Sequence, residues 1–244
     1  LLASSAASDV YKRQIMDLEM NPVSKRNRDA RSRLHREIIE IGAVKLDEDH
    51  NVVDKFRCYV KPQFNSEITP FITSLTGITS YEVCGACCFE DALFAFEKWI
   101  GYDKLSKVYS WSFSDLEQLS IECDYKQVKL PENMNNWVDF QAVYAEAMEY
   151  PSECGQMSLH AAAEQFGILM DSKTSHSALY DAEITAELVV PVLSGEYKHQ
   201  VELLKKSVLK ENEHKGFCLG DSCGGVLQQL LQQMSEKQDY AFAR

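Results

Sequence analysis

The sequence lacks several features that would place it in a simple class of protein. No apolar run reaches the roughly 18 residues that a membrane-spanning helix needs, so we expect no membrane span. Positive charge is in the minority, because 25 lysines and arginines face 37 aspartates and glutamates, for a net charge of −12. This balance argues against a protein that coats nucleic acid through bulk charge, and it leaves a local basic patch open.

A cysteine framework is also missing, although the chain has eight cysteines. Residues 84–88, CGACC, contain one C-x-x-C pair, but no second pair stands at the spacing of a zinc site. No secretory signal is readable, and the chain is too large to need disulfides. We therefore expect free thiols in a reducing compartment and a cytoplasmic protein, with a zinc site as the less favoured alternative.

The composition predicts a globular fold with one main domain and an appendage, since 45% of the residues are hydrophobic. Residues 4–14, SSAASDVYKRQ, resemble the in-frame translation of a transposon-end adapter used to prepare sequencing libraries. We therefore expect 1–14 to be non-native, a short polar tail being the alternative. The predicted domain covers 15–195. The polar, charge-rich remainder, 196–244, is predicted to be a partly helical C-terminal extension.

Hydrophobic periodicity predicts an α/β fold with a mixed sheet flanked by helices. The predicted strands are 15–20, 37–46, 52–60, 107–111 and 136–140. The predicted helices are 89–101, 114–125, 158–168 and 177–193, with a further helix following the last strand. A short acidic turn joins the second and third strands, which predicts an antiparallel hairpin.

Acidic residues recur at positions where ligands collect in such folds. Asp17 and Glu19 stand two apart on a predicted strand and so project from the same face. Asp115 opens a helix just after a strand, at the carboxyl end where α/β sheets bind ligands. Taken singly, each acid has a structural explanation: a solvated strand end for the pair and a helix cap for Asp115.

The stretch HSALYDAEIT, residues 176–185, adds an imidazole and a fourth acid. Ser177 is a favourable N-cap, so His176 is predicted to lie in the loop before a helix and Asp181 in its first turns. Converging carboxylates repel one another unless a cation lies between them, and Mg²⁺ or Mn²⁺ prefers such oxygen ligands. Two such ions are suited to phosphodiester hydrolysis, with His176 accepting a proton from the attacking water.

As a set, these motifs resemble the DEDDh 3′–5′ exonucleases, in order and spacing, over residues 15–195. The likeness is greatest to the branch of KapD-type and histone-mRNA 3′-end exonucleases. It implies a ribonuclease H-like fold with a five-stranded mixed sheet. It further implies that Asp17, Glu19, Asp115 and Asp181 hold two Mg²⁺ or Mn²⁺ ions and that His176 is the general base.

The resemblance also suggests residues that contact the terminal nucleotide. The segment ITSLTGIT, 72–79, resembles the part of these enzymes that lies beside that nucleotide, and an aromatic residue precedes the third acid in some relatives. Ser114 occupies that place here. The implied substrate-binding residues are Met20, Leu75, Thr76, Gly77, Ile78, Trp111 and Phe113.

A basic insert, NPVSKRNRDARSRLHR, separates the first two strands. It carries six lysines and arginines against one acid, Asp29, in a chain of net charge −12. We predict that Arg28, Arg31 and Arg33 bind phosphates of the substrate strand; the alternative is a solvated surface loop.

The sequence therefore predicts a metal-dependent 3′–5′ exonuclease that acts on the 3′ ends of single-stranded RNA or DNA, with RNA preferred, and releases nucleoside monophosphates. The alternative is a catalytically silent, regulatory nucleic-acid-binding module on the same fold. Four converging carboxylates favour the enzyme, because a pure binding module has no need of them. The sequence indicates no particular protein partner.

Overall fold

A computed structural model of the protein describes residues 13–101, 106–148, 150, 155–170, 176–198 and 202. The segment expected to be non-native lies outside these residues, apart from Arg13 and Gln14. Most of the predicted C-terminal extension also lies outside them. The described residues contain the sheet and all four predicted acids.

The described residues form one five-stranded mixed sheet, as predicted. Its strands are β1 (Arg13–Pro22), β2 (Arg36–Leu46), β3 (Val52–Tyr59), β4 (Lys107–Ser110) and β5 (Trp137–Asp139). The spatial order is β3-β2-β1-β4-β5, so β1 is central. β1, β2 and β3 form an antiparallel meander, and β4 and β5 run parallel to β1. The predicted hairpin between the second and third strands is confirmed.

Eight α-helices are described along with the sheet. They are α1 (Arg28–Arg31), α2 (Pro70–Thr76), α3 (Ser80–Cys84), α4 (Phe89–Ile100), α5 (Ser114–Lys126), α6 (Phe140–Ala147), α7 (Leu159–Gln165) and α8 (Ala178–Ser194). The longer ones match the predicted helices to within a few residues. Helices α1, α2 and α3 were not predicted. Thr69 caps α2 ahead of Pro70, and Thr79 and Glu82 form a capping box at α3, so the last two carry sequence signals.

The two faces of β1 have different environments. Met16 and Leu18 pack into a core with residues of α4 and α5, such as Phe96 and Leu119. Asp17 and Glu19 alternate with them and project from the opposite face. The alternation therefore separates a purely structural face of the central strand from an acidic one.

The chain divides into two compact units. The first comprises residues 1–140 and 170–187 and includes the whole sheet; the second comprises 141–169 and 188–244. Within the second unit, the Tyr144 hydroxyl donates to Gln165 Oε1 at 2.9 Å, and its ring packs against Phe166. No helix in the described part of the chain has the length and apolar character to cross a membrane.

Replacing Gln14 with leucine is expected to stabilise the protein. Gln14 lies on central β1, is fully buried, and among the described residues its side-chain amide has no hydrogen-bond partner. Because an unpaired buried amide costs about 1–3 kcal/mol, the free energy of unfolding should rise by about that amount. Thermal or urea unfolding would measure it. Gln63→Leu, at an exposed position, is the control, and a lower melting temperature for Gln14→Leu would contradict the expectation.

Candidate metal-binding active site

Three of the four predicted acids lie in direct proximity. Carboxylate oxygens of Asp17, Glu19 and Asp181 all lie within 4.8 Å of one another. The first two project from β1, and Asp181 lies in the first turn of α8. The pairing of β1 with β2 shifts register between Glu19 and Met20, directly after the acidic pair. Such irregularities redirect side chains and are frequent beside active sites.

Asp115 completes the acidic cluster from α5. It is the second residue of that helix and only 5% exposed. The backbone N–H of Leu18, the residue between the two acids of β1, donates to its carboxylate. Asp115 is therefore tied to the central strand, and its charge acts on Asp17 and Glu19.

Burial and mutual repulsion raise the pKa values of the clustered acids. Burial, and then the negative charge of the neighbouring acids, raises the pKa of Asp17 well above its ordinary value. The same causes raise the pKa of Glu19 to about 9, and burial raises that of Asp115 to about 7. The Oδ1 atom of Asp181 is buried and lacks a hydrogen-bond partner among the described residues. These observations fit a divalent cation, which would neutralise the charges and coordinate the free oxygen.

His176 lies where the sequence predicts, in the turn before α8. Its Nδ1 atom is 4.0 Å from Asp181 Oδ2, and its side chain is 52% exposed. The backbone of His176 is in the left-handed region, with φ of 68°, and its N–H donates to the Asp181 carboxylate. The imidazole is thus at the edge of the acidic cluster and open to solvent, to which it can pass a proton.

A fifth acid, Glu40, was not identified from the sequence. It lies on β2 directly opposite Glu19 and is fully buried. Arg57 Nε donates to its Oε1 at 2.5 Å, and the Ala178 N–H donates to its Oε2 at 3.2 Å. Because both oxygens are occupied, Glu40 is a support for the start of α8 rather than a free ligand. An acid inside the apolar run EIIEIGAV is the sequence signal for it.

The predicted nucleotide-contacting residues divide into exposed and buried groups. Phe113 is 54% exposed and Leu75 36% exposed, so both offer apolar surface. Ile78 packs with Ile39 in a small core cluster, and Trp111 is 7% exposed against Phe140. The side chains of Ile78 and Trp111 therefore fill the core rather than the surface on which a nucleotide would bind.

The other predicted contacts are partly accessible. Met20 and Thr76 are half-buried, and the Thr76 hydroxyl donates to the carbonyl of Ile72. Gly77 ends α2 in the left-handed conformation, with φ of 74°, which a glycine adopts without strain.

The three predicted arginines of the basic insert are all exposed. Arg28 and Arg31 bound the short helix α1. Arg33 follows it, with its guanidinium 5.0 Å from the centre of the Tyr125 ring. Arg33 is thus partly engaged within the protein, whereas the structure gives Arg28 no ion pair within its described part.

Comparison with known proteins agrees with this geometry. The chain is 29% identical over 202 residues to 3′-5′ exoribonuclease 1 of Rattus norvegicus, covering 79% of this chain and 56% of that protein. It is 30% identical to the probable 3′-5′ exonuclease KapD of Bacillus subtilis, covering 60% of this chain and 68% of that protein. The chain thus spans little more than half the length of the rat relative.

Solved structures share the fold. The nuclease domain of 3′hExo, a DEDDh family member bound to rAMP, superposes with a TM-score of 0.65 at 26% identity. The match covers 77% of this chain and 94% of that one, and it confirms the predicted ribonuclease H-like fold. The family model described as Exonuclease matches residues 15–189. The chain therefore belongs to the exonuclease family, and its acidic motifs fit the DEDDh class, as their order predicts.

Proposed function

We propose that the protein is a 3′–5′ exonuclease that removes nucleoside monophosphates from single-stranded nucleic acid, with RNA preferred over DNA. Two Mg²⁺ or Mn²⁺ ions are its cofactors, and its location is cytoplasmic. The observation that carries the proposal is the convergence of four acids with an exposed histidine at their edge. The free thiols of the described cysteines support a reducing compartment.

Each residue of the site has a role in the proposed hydrolysis. Asp17, Glu19, Asp115 and Asp181 would hold the ions. When bound, the ions supply Lewis-acid stabilisation of the charge that develops on the phosphate and acidify the attacking water. His176 accepts the proton of that water and, being half exposed, passes it to solvent. Glu40 holds the backbone at the start of α8, and thereby keeps His176 and Asp181 in position.

The terminal nucleotide would bind between two apolar surfaces. Phe113 lies two residues before Asp115 and is exposed, so its ring is available to stack on a base. Leu75, near the end of α2, offers the second surface. The preference for RNA is supported by the rat relative, which is named an exoribonuclease, and by the rAMP bound to 3′hExo.

Matched RNA and DNA oligomers, blocked at either the 3′ or the 5′ end, would test the proposal. With Mg²⁺ or Mn²⁺, RNA with a free 3′ end should be shortened stepwise to nucleoside monophosphates, and DNA more slowly. A 3′ block or a chelator should stop the reaction. His176→Ala should lower turnover by about a hundredfold or more, the usual range for a general base, while metal-induced stabilisation persists.

Three results would overturn the proposal. Degradation of 3′-blocked oligomers would contradict the proposed 3′–5′ direction of degradation. Activity in chelator would remove the role of the metals. Tight binding without any turnover, under all metal conditions, would favour the silent binding module instead.

A further inference from the structure

The basic insert is a folded lobe and not a loose loop. We define the basic arm as residues 23–35. Its apolar residues, Val23, Ala30 and Leu34, are buried together and pack against Phe64 and Tyr125. The Val23 N–H donates to the carbonyl of His35 at 3.0 Å, which closes the base of the arm. The arm therefore has its own small core.

A second segment, residues 63–70, faces the arm and is fixed to it and to the end of β1. We call it the facing loop. The Asn65 side chain donates to the Pro22 carbonyl at 2.8 Å, and the Asn27 side chain donates to the Phe64 carbonyl at 2.5 Å. Asn21 donates to the carbonyl of Glu67 at 3.1 Å and accepts from the N–H of Thr69 at 3.2 Å.

A buried carboxylate, that of Glu37 on β2, also binds the backbone of the facing loop. Both oxygens of Glu37 accept backbone N–H groups, those of Gln63 and Phe64, at 2.7 Å. Lys126 lies 3.0 Å from Glu37 and 2.7 Å from Glu122, so both buried acids share its positive charge. The basic arm and the facing loop are therefore held in place before any ligand binds, which lowers the entropic cost of binding.

A cavity of about 710 Å³ lies between the basic arm and the facing loop. Lys25, Arg26 and Arg31 of the arm line it, against one acid, Glu67, of the facing loop. None of the three cations forms an ion pair within the described residues. In a chain of net charge −12, a preformed cavity with three unpaired cations is suited to an anionic ligand.

The cavity is close to the acidic cluster. Pro22, in its lining, follows Glu19 by three residues on β1, so their Cα atoms are about 10 Å apart at the usual strand rise. The facing loop leads directly into α2, whose end carries Leu75. A strand whose 3′ nucleotide lies at the acids therefore has the cavity within reach of its next nucleotides.

We propose that this cavity binds phosphates of the substrate strand on the 5′ side of the scissile bond. The inference rests on the proposed function and deepens it. It assigns the grip to Lys25, Arg26 and Arg31, whereas Arg28 and Arg33 lie outside the cavity lining. A volume of this size exceeds a single phosphate and falls in the range of sites that bind ligands of nucleotide size.

Binding measured without cleavage tests the proposal separately from the activity. Fluorescence anisotropy of a labelled single-stranded RNA 12-mer, in chelator, would compare wild type with Lys25→Ser/Arg26→Ser/Arg31→Ser. The variant should bind about tenfold more weakly at low salt. For the variant, the slope of log K against log salt concentration should be less steep by about 2, because each lost phosphate contact to a single strand removes about 0.7 from that slope.

The matched control removes the same charge elsewhere, at exposed lysines, as Lys98→Ser/Lys107→Ser/Lys129→Ser. It should bind like wild type. With metal present, the cavity variant should raise KM on the 12-mer and change turnover of a dinucleotide by less than about twofold. The only phosphate of a dinucleotide is the one being cleaved.

Equal RNA binding and equal salt slopes in the cavity variant and wild type would overturn the proposal. An equal loss of RNA binding in the control triple variant would also overturn it, because binding would then depend on the total charge of the protein and not on the cavity. Labelled polyglutamate tests the other class of anionic ligand, and binding as tight as that of RNA would also overturn it. If the cavity variant alone loses RNA binding but wild type cleaves nothing, the proposed function fails and the strand site stands.

Discussion

Asp17→Asn is expected to abolish hydrolysis and, at the same time, to stabilise the metal-free protein. Turnover should fall at least about a thousandfold, or roughly 4 kcal/mol of transition-state stabilisation, because an amide is a poor ligand for Mg²⁺ or Mn²⁺. Asp17 is half-buried beside Glu19, Asp115, Asp181 and Glu40, whose charges oppose its ionisation. A neutral side chain there removes that repulsion, so the melting temperature in chelator should rise.

The pH dependence of stability provides a second readout of the same cluster. A carboxyl group with a raised pKa in the folded state binds protons more tightly folded than unfolded. Its stabilising contribution is complete below the unfolded pKa and is lost as pH rises through the folded value. For Glu19 that window extends from about 4.5 to about 9, so the metal-free protein should lose stability across neutral pH.

Divalent metal should reverse this loss, because binding requires the deprotonated carboxylates. The gain in melting temperature on adding Mg²⁺ or Mn²⁺ should therefore grow with pH in wild type and be small in Asp17→Asn. Asp124→Asn, at an exposed acid on α5, is the control and should behave like wild type. Near-normal turnover in Asp17→Asn, or a metal-free melting temperature that rises from pH 5 to 8, would contradict the assignment.

The acidic motifs were predictable because each depends on local pattern. Asp17 and Glu19 have the two-residue spacing of one strand face, and Asp115 and Asp181 lie in the first turns of helices. The metal-binding acids could therefore be predicted from the sequence alone. Glu40 could not, because its role depends on which residue of β1 it faces. Only the register of β1 with β2 places it opposite Glu19.

The remaining differences also come from tertiary contacts. Trp111 and Phe113 are equivalent as aromatic residues near the third acid, yet packing against Phe140 buries the first and leaves the second exposed. The six basic residues of the insert form one cluster in the sequence. Folding of the arm turns Arg31 toward the cavity lining, while Arg33 stacks over Tyr125. Periodicity and charge in the sequence do not predict which aromatic residue is buried or which arginine lines the cavity, because both depend on contacts with distant parts of the chain.

Gly42 is the residue at which a single added methyl group should disturb both the fold and the site. It pairs with Asp17 across β1 and β2. A Cβ atom at Gly42 would lie 2.0 Å from the backbone nitrogen of Leu179 and 2.2 Å from the carbonyl carbon of Ala178. Both atoms belong to the first turn of α8 and have no freedom to rotate away. The absence of a side chain at 42 is therefore what lets α8 approach the sheet.

Gly42→Ala is expected to displace the start of α8, which carries Asp181 and directly follows His176. A shift of about 1 Å in such groups costs about a hundredfold in rate, so turnover should fall at least that much. Overpacking should lower the free energy of unfolding by about 1–3 kcal/mol or more. Gly85→Ala is the matched control, since nothing lies within 4 Å of its added Cβ and its φ is −94°.

Three measurements on the purified Gly42→Ala protein separate a local shift from general unfolding: the melting temperature, turnover on RNA, and stabilisation by Mg²⁺ or Mn²⁺. A folded variant with reduced turnover and reduced metal stabilisation is the expected result, because the displaced Asp181 no longer meets Asp17 and Glu19. If too little protein folds, the milder Glu40→Gln keeps the test open, since it weakens the ion pair with Arg57 at the same junction without adding volume. Wild-type turnover and melting temperature in Gly42→Ala would show that α8 does not depend on this close approach.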